Sequence, residues 1–141
     1  MYNIFISHAW KYHEDYSKIV SWLDEAEANG ELEWRNYSVP EHSPLVDPET
    51  YTGKRKLEKE LLQQIRPASI VIALAGVYAS YSDWIGFEID AAAEMGKTII
   101  GVKPRGNKRV SLKISENAKP IVNWNKNSLI GAINGAIKNI D

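Results

Sequence analysis

Three places in the chain hold side chains that can bind or transform a small ligand. At the start, the apolar run Ile4-Phe5-Ile6 turns polar at Ser7-His8. A hydroxyl and an imidazole at a strand exit can hydrogen-bond a sugar or a phosphate, and a purely structural hydrogen bond accounts for His8 equally well. Phe5 can stack a ligand ring or serve as a plain core aromatic. Next comes Arg35-Asn36, just after Trp34. The guanidinium fork suits a pyrophosphate, and a surface ion pair is the bland alternative. Last, Trp84 and Glu88 are four residues apart, so on a helix they share a face. Taken alone, Glu88 reads as a solvated helix glutamate. Asp47 and Tyr51, in a proline-marked segment, can close over a ligand held by the others.

Several chemistries are excluded by residue type. Without cysteine there is no thiolate nucleophile, disulfide or zinc-thiolate site. His8, His13 and His42 fit neither H-E-x-x-H nor a compact cluster, so no metal is expected. After the first apolar run stands Ser7-His8-Ala9-Trp10-Lys11, not the G-x-G-x-x-G of a dinucleotide-binding turn. A P-loop and a G-x-S-x-G nucleophile elbow are absent. The third strand leaves through Leu74-Ala75-Gly76, without the phosphorylatable Asp of a receiver domain. A net charge of −1 argues against non-specific nucleic-acid binding, which needs a basic face. Two basic stretches, Lys54-Arg55-Lys56 with Lys59 and Lys103 to Arg109, read as solvated faces.

These groups need elements to position them. A length of 141 residues suits one domain, 1–141. The first strand is followed by helical apolar spacing at Tyr16, Ile19, Val20, Leu23 and Ala26, ended by Asn29-Gly30. Leu32 to Arg35 reads as a second strand, and residues 37–53, with three prolines, as a long loop. A helix from Lys54 to Ile65 stops before Pro67. Ser69 to Ala75 is a continuous apolar run, the mark of a strand buried on both faces. A helix over Ser82 to Met95, a strand over Thr98 to Val102, an irregular basic stretch to Lys119, a strand over Pro120 to Trp124 and a helix over Ser128 to Ile140 complete the order. Alternation of this kind predicts an α/β flavodoxin-like three-layer sandwich, with a five-stranded parallel sheet in order 2-1-3-4-5 and ligands at the carboxyl ends of its strands. The N-terminus lacks a basic segment ahead of an apolar one, and the run from Ile70 to Ala79 is too short to span a bilayer, so a cytoplasmic protein is expected.

Three segments carry a resemblance. Tyr2-Asn3-Ile4-Phe5-Ile6-Ser7-His8 resembles the first box of TIR domains. The segment Val77 to Trp84, followed by Glu88, is similar to the Trp and catalytic Glu of NAD-cleaving TIR domains. Trp34-Arg35-Asn36-Tyr37-Ser38-Val39-Pro40 looks like the TIR-like family of Thoeris antiphage systems. Asn3 stands where the first box usually has Asp, and the loop after the second strand differs from that of animal signalling TIR domains. Both departures point to the bacterial TIR-like branch.

The resemblance implies a TIR-like NAD-consuming enzyme with Glu88 as its catalytic carboxylate. Phe5, Ser7, His8, Arg35, Asn36, Asp47, Tyr51 and Trp84 would bind the substrate. NAD is then a substrate, with no cofactor, and the product a cyclic ADP-ribose isomer that signals to a separate effector. A phage-derived trigger and self-association are further expected partners, with no nucleic acid and no membrane. The chemistry is consistent with a single acid. Nicotinamide leaves as a neutral molecule from a cationic ring, so no general acid is needed, and one carboxylate can stabilise the oxocarbenium-like ribose. A non-enzymatic TIR-like scaffold and a nucleoside deoxyribosyltransferase are the competing expectations.

Overall fold

The structure, a computed structural model, describes residues 2–7, 13–37, 51–74, 83–103 and 112–140; within these, the side chains of Ser7, His13, residues 51–57 and 83–85 and Ile140 are not described. Five strands form one all-parallel sheet: β1 (Tyr2–Ser7), β2 (Trp34–Asn36), β3 (Ile70–Leu74), β4 (Thr98–Val102) and β5 (Ile121–Val122). Their order is β2-β1-β3-β4-β5, the flavodoxin-like order expected, with β1 and β3 adjacent. The helices are α1 (His13–Ala28), α2 (Tyr51–Ile65), α3 (Asp83–Glu94), α4 (Leu112–Asn117) and α5 (Lys126–Ile140).

The pleat divides the sheet into two differently packed faces, because successive side chains on a strand point to opposite sides. Ile4, Ile6, Ile70, Ile72, Ile100 and Val102 pack against α1 and α5. Phe5, Val71, Ala73 and Ile99 pack against α2, α3 and α4. On the first side the layer is stapled by Trp22 against Trp124, whose ring centroids are 4.8 Å apart, and by Lys126 bridging to Glu25 at 3.0 Å.

Two helix exits are made by glycines. Gly30 and Gly96 have φ of 75° and 71°, a conformation that costs a side chain but not glycine. Each closes a Schellman pair: Glu31 N to Ala26 O and Gly30 N to Glu27 O, then Lys97 N to Ala92 O and Gly96 N to Ala93 O. The second exit returns the chain directly into β4, whose Thr98 pairs with Ile70.

Three sequence expectations are corrected. The second strand covers Trp34–Asn36 rather than Leu32 to Arg35. Helix α2 begins at Tyr51, so Tyr51 opens a helix and is not a loop residue. The basic stretch before residue 119 holds a short helix, α4, anchored by buried Ile114 and Ala118. That helix lies on Gly101. A Cβ there would meet Ile121, Ala118 and Ile114 at 3.1–3.2 Å, so α4 and β5 need the missing side chain.

Candidate functional site

Helix α3 carries the decisive residue. It follows β3, so its N-terminal half lies toward the carboxyl edge of the sheet, and it packs on β1, β3 and β4. Its buried residues on the outer turns are Ile89, Ala91 and Ala92. At about 100° per residue, Glu88 projects between the directions of Ile89 and Ala91, with Ala92 one turn further along the same face. The acid therefore occupies the middle of the apolar stripe. It is 4% exposed and is the one buried charged side chain among the described residues. Glu88 has interaction partners, while its buried Oε2 accepts no hydrogen bond. A carboxylate so placed is costly for a fold, because burial strips it of water.

On the face covered by α2, α3 and α4 the sheet changes character. Phe5, Val71 and Ile99 form a row of large side chains, since Phe5 pairs with Val71 and Val71 with Ile99. Two residues nearer the carboxyl edge the row is Ser7, Ala73 and Gly101, also in register. The opposite face shows no such change: Ile6, Ile72 and Ile100 form its middle row. The apolar run Ser69 to Ala75 already showed the switch from β-branched residues to alanine. The sequence reading treated it as uniform and missed Ala73.

The expected ligand-binding residues are placed unevenly. Phe5 is 1% exposed, within the core between the sheet and α2 and α3. Of its two expected roles, packing is the one this burial serves. Ser7 ends β1 opposite Ala73, at the carboxyl edge and on the level of the small row. Arg35 and Asn36 end β2, as expected, and the register sets the level of that end. Arg35 pairs with Asn3 and Asn36 with Ile4, three residues before Ser7 and roughly 10 Å short of it along the strand. Asn36 donates from Nδ2 to the Tyr16 hydroxyl at 2.9 Å, on the α1 side of the sheet and across it from Glu88. Arg35 is exposed and, by alternation, directed to the other face. Asn3 donates from Nδ2 to Pro67 O at 3.0 Å, a tie an aspartate in its place could not make. His8 and Asp47 lie outside the described residues. Tyr51 and Trp84 are placed as the first residue of α2 and the second of α3.

The family described as Thoeris protein ThsB, TIR-like domain, matches residues 5–109. The chain belongs to that family. The match makes this ThsB-family chain a defence-related domain, and it runs from Phe5, within β1, past the end of β4, Glu88 included. The remaining elements, α4, β5 and α5, lie beyond it; β5 completes the sheet, α4 joins α2 and α3 on one face and α5 joins α1 on the other. No curated protein matches the sequence. Among solved structures, the Clostridium botulinum CMP N-glycosidase BcmB is similar with a TM-score of 0.57 at 18% identity, over 94% of this chain and 98% of that one. A 2-deoxyribosyltransferase from Bacillus psychrosaccharolyticus is similar with a TM-score of 0.67 at 17% identity, over 91% and 90%. At such identities the likeness shows the fold. No helix among the described residues is long and apolar enough to cross a membrane.

Proposed function

We propose that this ThsB-family domain is a cytoplasmic enzyme that cleaves the nicotinamide–ribose bond of NAD, with Glu88 as the catalytic carboxylate. The observation that carries the reading is the burial of Glu88 in the middle of an apolar helix face at the ligand edge of the sheet. Native interiors hold acids in such positions chiefly where chemistry uses them. The bond from ribose C1′ to the pyridinium nitrogen breaks, and its electron pair neutralises the ring, so nicotinamide departs without a proton. Positive charge develops on C1′ and the ribose oxygen. A carboxylate in a dry setting stabilises that charge far better than one in water. Capture of C1′ by a nucleophilic atom of the adenosine half closes a cyclic ADP-ribose isomer, and a proton leaves that atom. The product then signals to a separate effector, and a phage-derived trigger and self-association switch the enzyme on. Ser7 at the end of β1, with His8, Asp47, Tyr51 and Trp84, supplies substrate contacts.

A second reading has its own support. Both structural neighbours are named for chemistry at a nucleoside's N-glycosidic bond, one as a CMP N-glycosidase and one as a 2-deoxyribosyltransferase. A transferase of that kind would use Glu88 as a covalent nucleophile on free nucleosides.

The deciding experiment incubates the wild type and Glu88→Gln at high protein concentration with NAD, and separately with deoxynucleosides and a free base, followed by mass analysis. Nicotinamide release by the wild type alone supports the NAD reading. Base exchange on deoxynucleosides would replace it, and equal turnover by both proteins would remove Glu88 from the chemistry.

A further inference from the structure

The large-to-small change on the Glu88 face bears on how the carboxylate is held. From Glu88 to Glu94 the helix descends roughly 9 Å at its usual rise. The chain then turns through Gly96 into Thr98, level with Ile70. From Ile70 up to Ala73 the strand climbs roughly 10 Å. Glu88 and Ala73 are therefore at nearly the same height, one on α3 and one on the strand that α3 covers. Ala73 is 0% exposed and shares its core cluster with Ile89 and Ala92, the neighbours of Glu88 on the buried face. A valine or isoleucine, the residue type found elsewhere on β3, would stand between sheet and helix at this point. The same strand carries Ile72 one position earlier, and that side chain faces α1 and α5.

We propose that Ala73 is a positioning residue: its methyl sets the height at which the N-terminal half of α3 rests on the sheet, and so where the Glu88 carboxylate is held. This inference rests on the reading of Glu88 as the catalytic group. Packed interiors transmit added or missing methyl groups as backbone shifts. A displacement of about 1 Å in a catalytic group can cost about a hundredfold in rate. The site is thus tuned from beneath by a residue that touches no substrate.

The test measures kcat and KM for NAD cleavage, with melting temperature, for the wild type, Ala73→Val, Ala73→Gly, Ile72→Val and Glu88→Gln. Ala73→Val raises α3 and Ala73→Gly lets it settle. Both are expected to lower kcat by about tenfold or more at nearly constant KM, the pattern of an interaction made in the transition state. Ile72→Val alters the same strand by one methyl on the other face, and its kcat is expected to stay at the wild-type level whatever it does to melting temperature. Should Ala73→Val not fold, Ala73→Gly decides by the same criterion. An inactive Glu88→Gln beside full kcat in the folded Ala73 variants overturns the proposal and leaves the reading of Glu88 standing. An equal fall of kcat in Ile72→Val also overturns it, since the effect would then be general core damage. Wild-type turnover by Glu88→Gln, or none by the wild type, brings down the reading of Glu88 and this proposal with it.

Discussion

Against α1 and α5 the sheet presents isoleucine and valine at nearly every position, and the layer is closed by Trp22, Trp34 and Leu129. Against α2, α3 and α4 it presents a large row, then Ala73 and Gly101, and receives a buried glutamate from α3. Along the middle of β1, β3 and β4 the first face is what a parallel sheet needs for stability: branched side chains filling the pleat. The second gives up apolar contact at the edge where ligands of such sheets bind. With Glu88 in its proposed role, stability and chemistry are divided between the two sides of the same five strands, and β3 shows it within two residues, Ile72 on one side and Ala73 on the other.

That division can be broken at its strongest point first. Glu88→Gln keeps the shape and removes the charge, and the expected loss is roughly 3 kcal/mol of barrier or more, at least about a hundredfold in turnover, read as nicotinamide release by a protein with a wild-type circular dichroism spectrum. On the opposite face, Ile72→Ala leaves a cavity in a fully buried position. It is expected to cost about 3 kcal/mol in denaturant unfolding, with turnover per folded molecule unchanged. Glu88→Met joins the two measurements. Taken alone, the sequence made Glu88 a solvated helix glutamate, and its burial changes that expectation. An apolar residue of similar length there should raise stability by about 1–2 kcal/mol while turnover vanishes, as when active-site residues are exchanged for packing. A lower melting temperature in Glu88→Met would show that the glutamate is structural. Gly101→Ala pushes a methyl against Ile114, Ala118 and Ile121 and should cost about 2 kcal/mol by overpacking. Smallest of all, Tyr16→Phe removes the hydrogen bond to Asn36 at an exposed position, with an expected cost under about 1 kcal/mol and no change in turnover. A large activity loss there would place Asn36 in the substrate site.

The alternation of apolar runs and helical spacing was enough to give the parallel sheet and the Gly30 exit, because these follow from local periodicity and backbone preference, while the strand order came from the arrangement that five such strands commonly adopt. The limits of β4 were legible to the residue, since Gly96 precedes it and Pro104 follows soon after. Other elements were hidden for physical reasons. Leu32 reads as strand because it is apolar, and it is indeed buried, yet burial is not pairing and the ladder begins at Trp34. Helix α4 lies in a basic stretch where two apolar residues, Ile114 and Ala118, are too few to show a period.

Residue type and order alone determined that this chain is an α/β protein, and the resemblance to NAD-cleaving TIR domains singled out Glu88, four residues after a tryptophan, which taken alone read as a solvated helix glutamate. Only the tertiary structure decided that the acid points inward, that Ala73 and Gly101 stand in one row with Ser7, and that Asn36 belongs to the other side of the sheet. The reason is register. A strand's own sequence states which residues alternate, but the level at which it meets its neighbours is set by hydrogen bonds to strands far away in the chain, and a shift of three residues moves a side chain by roughly 10 Å.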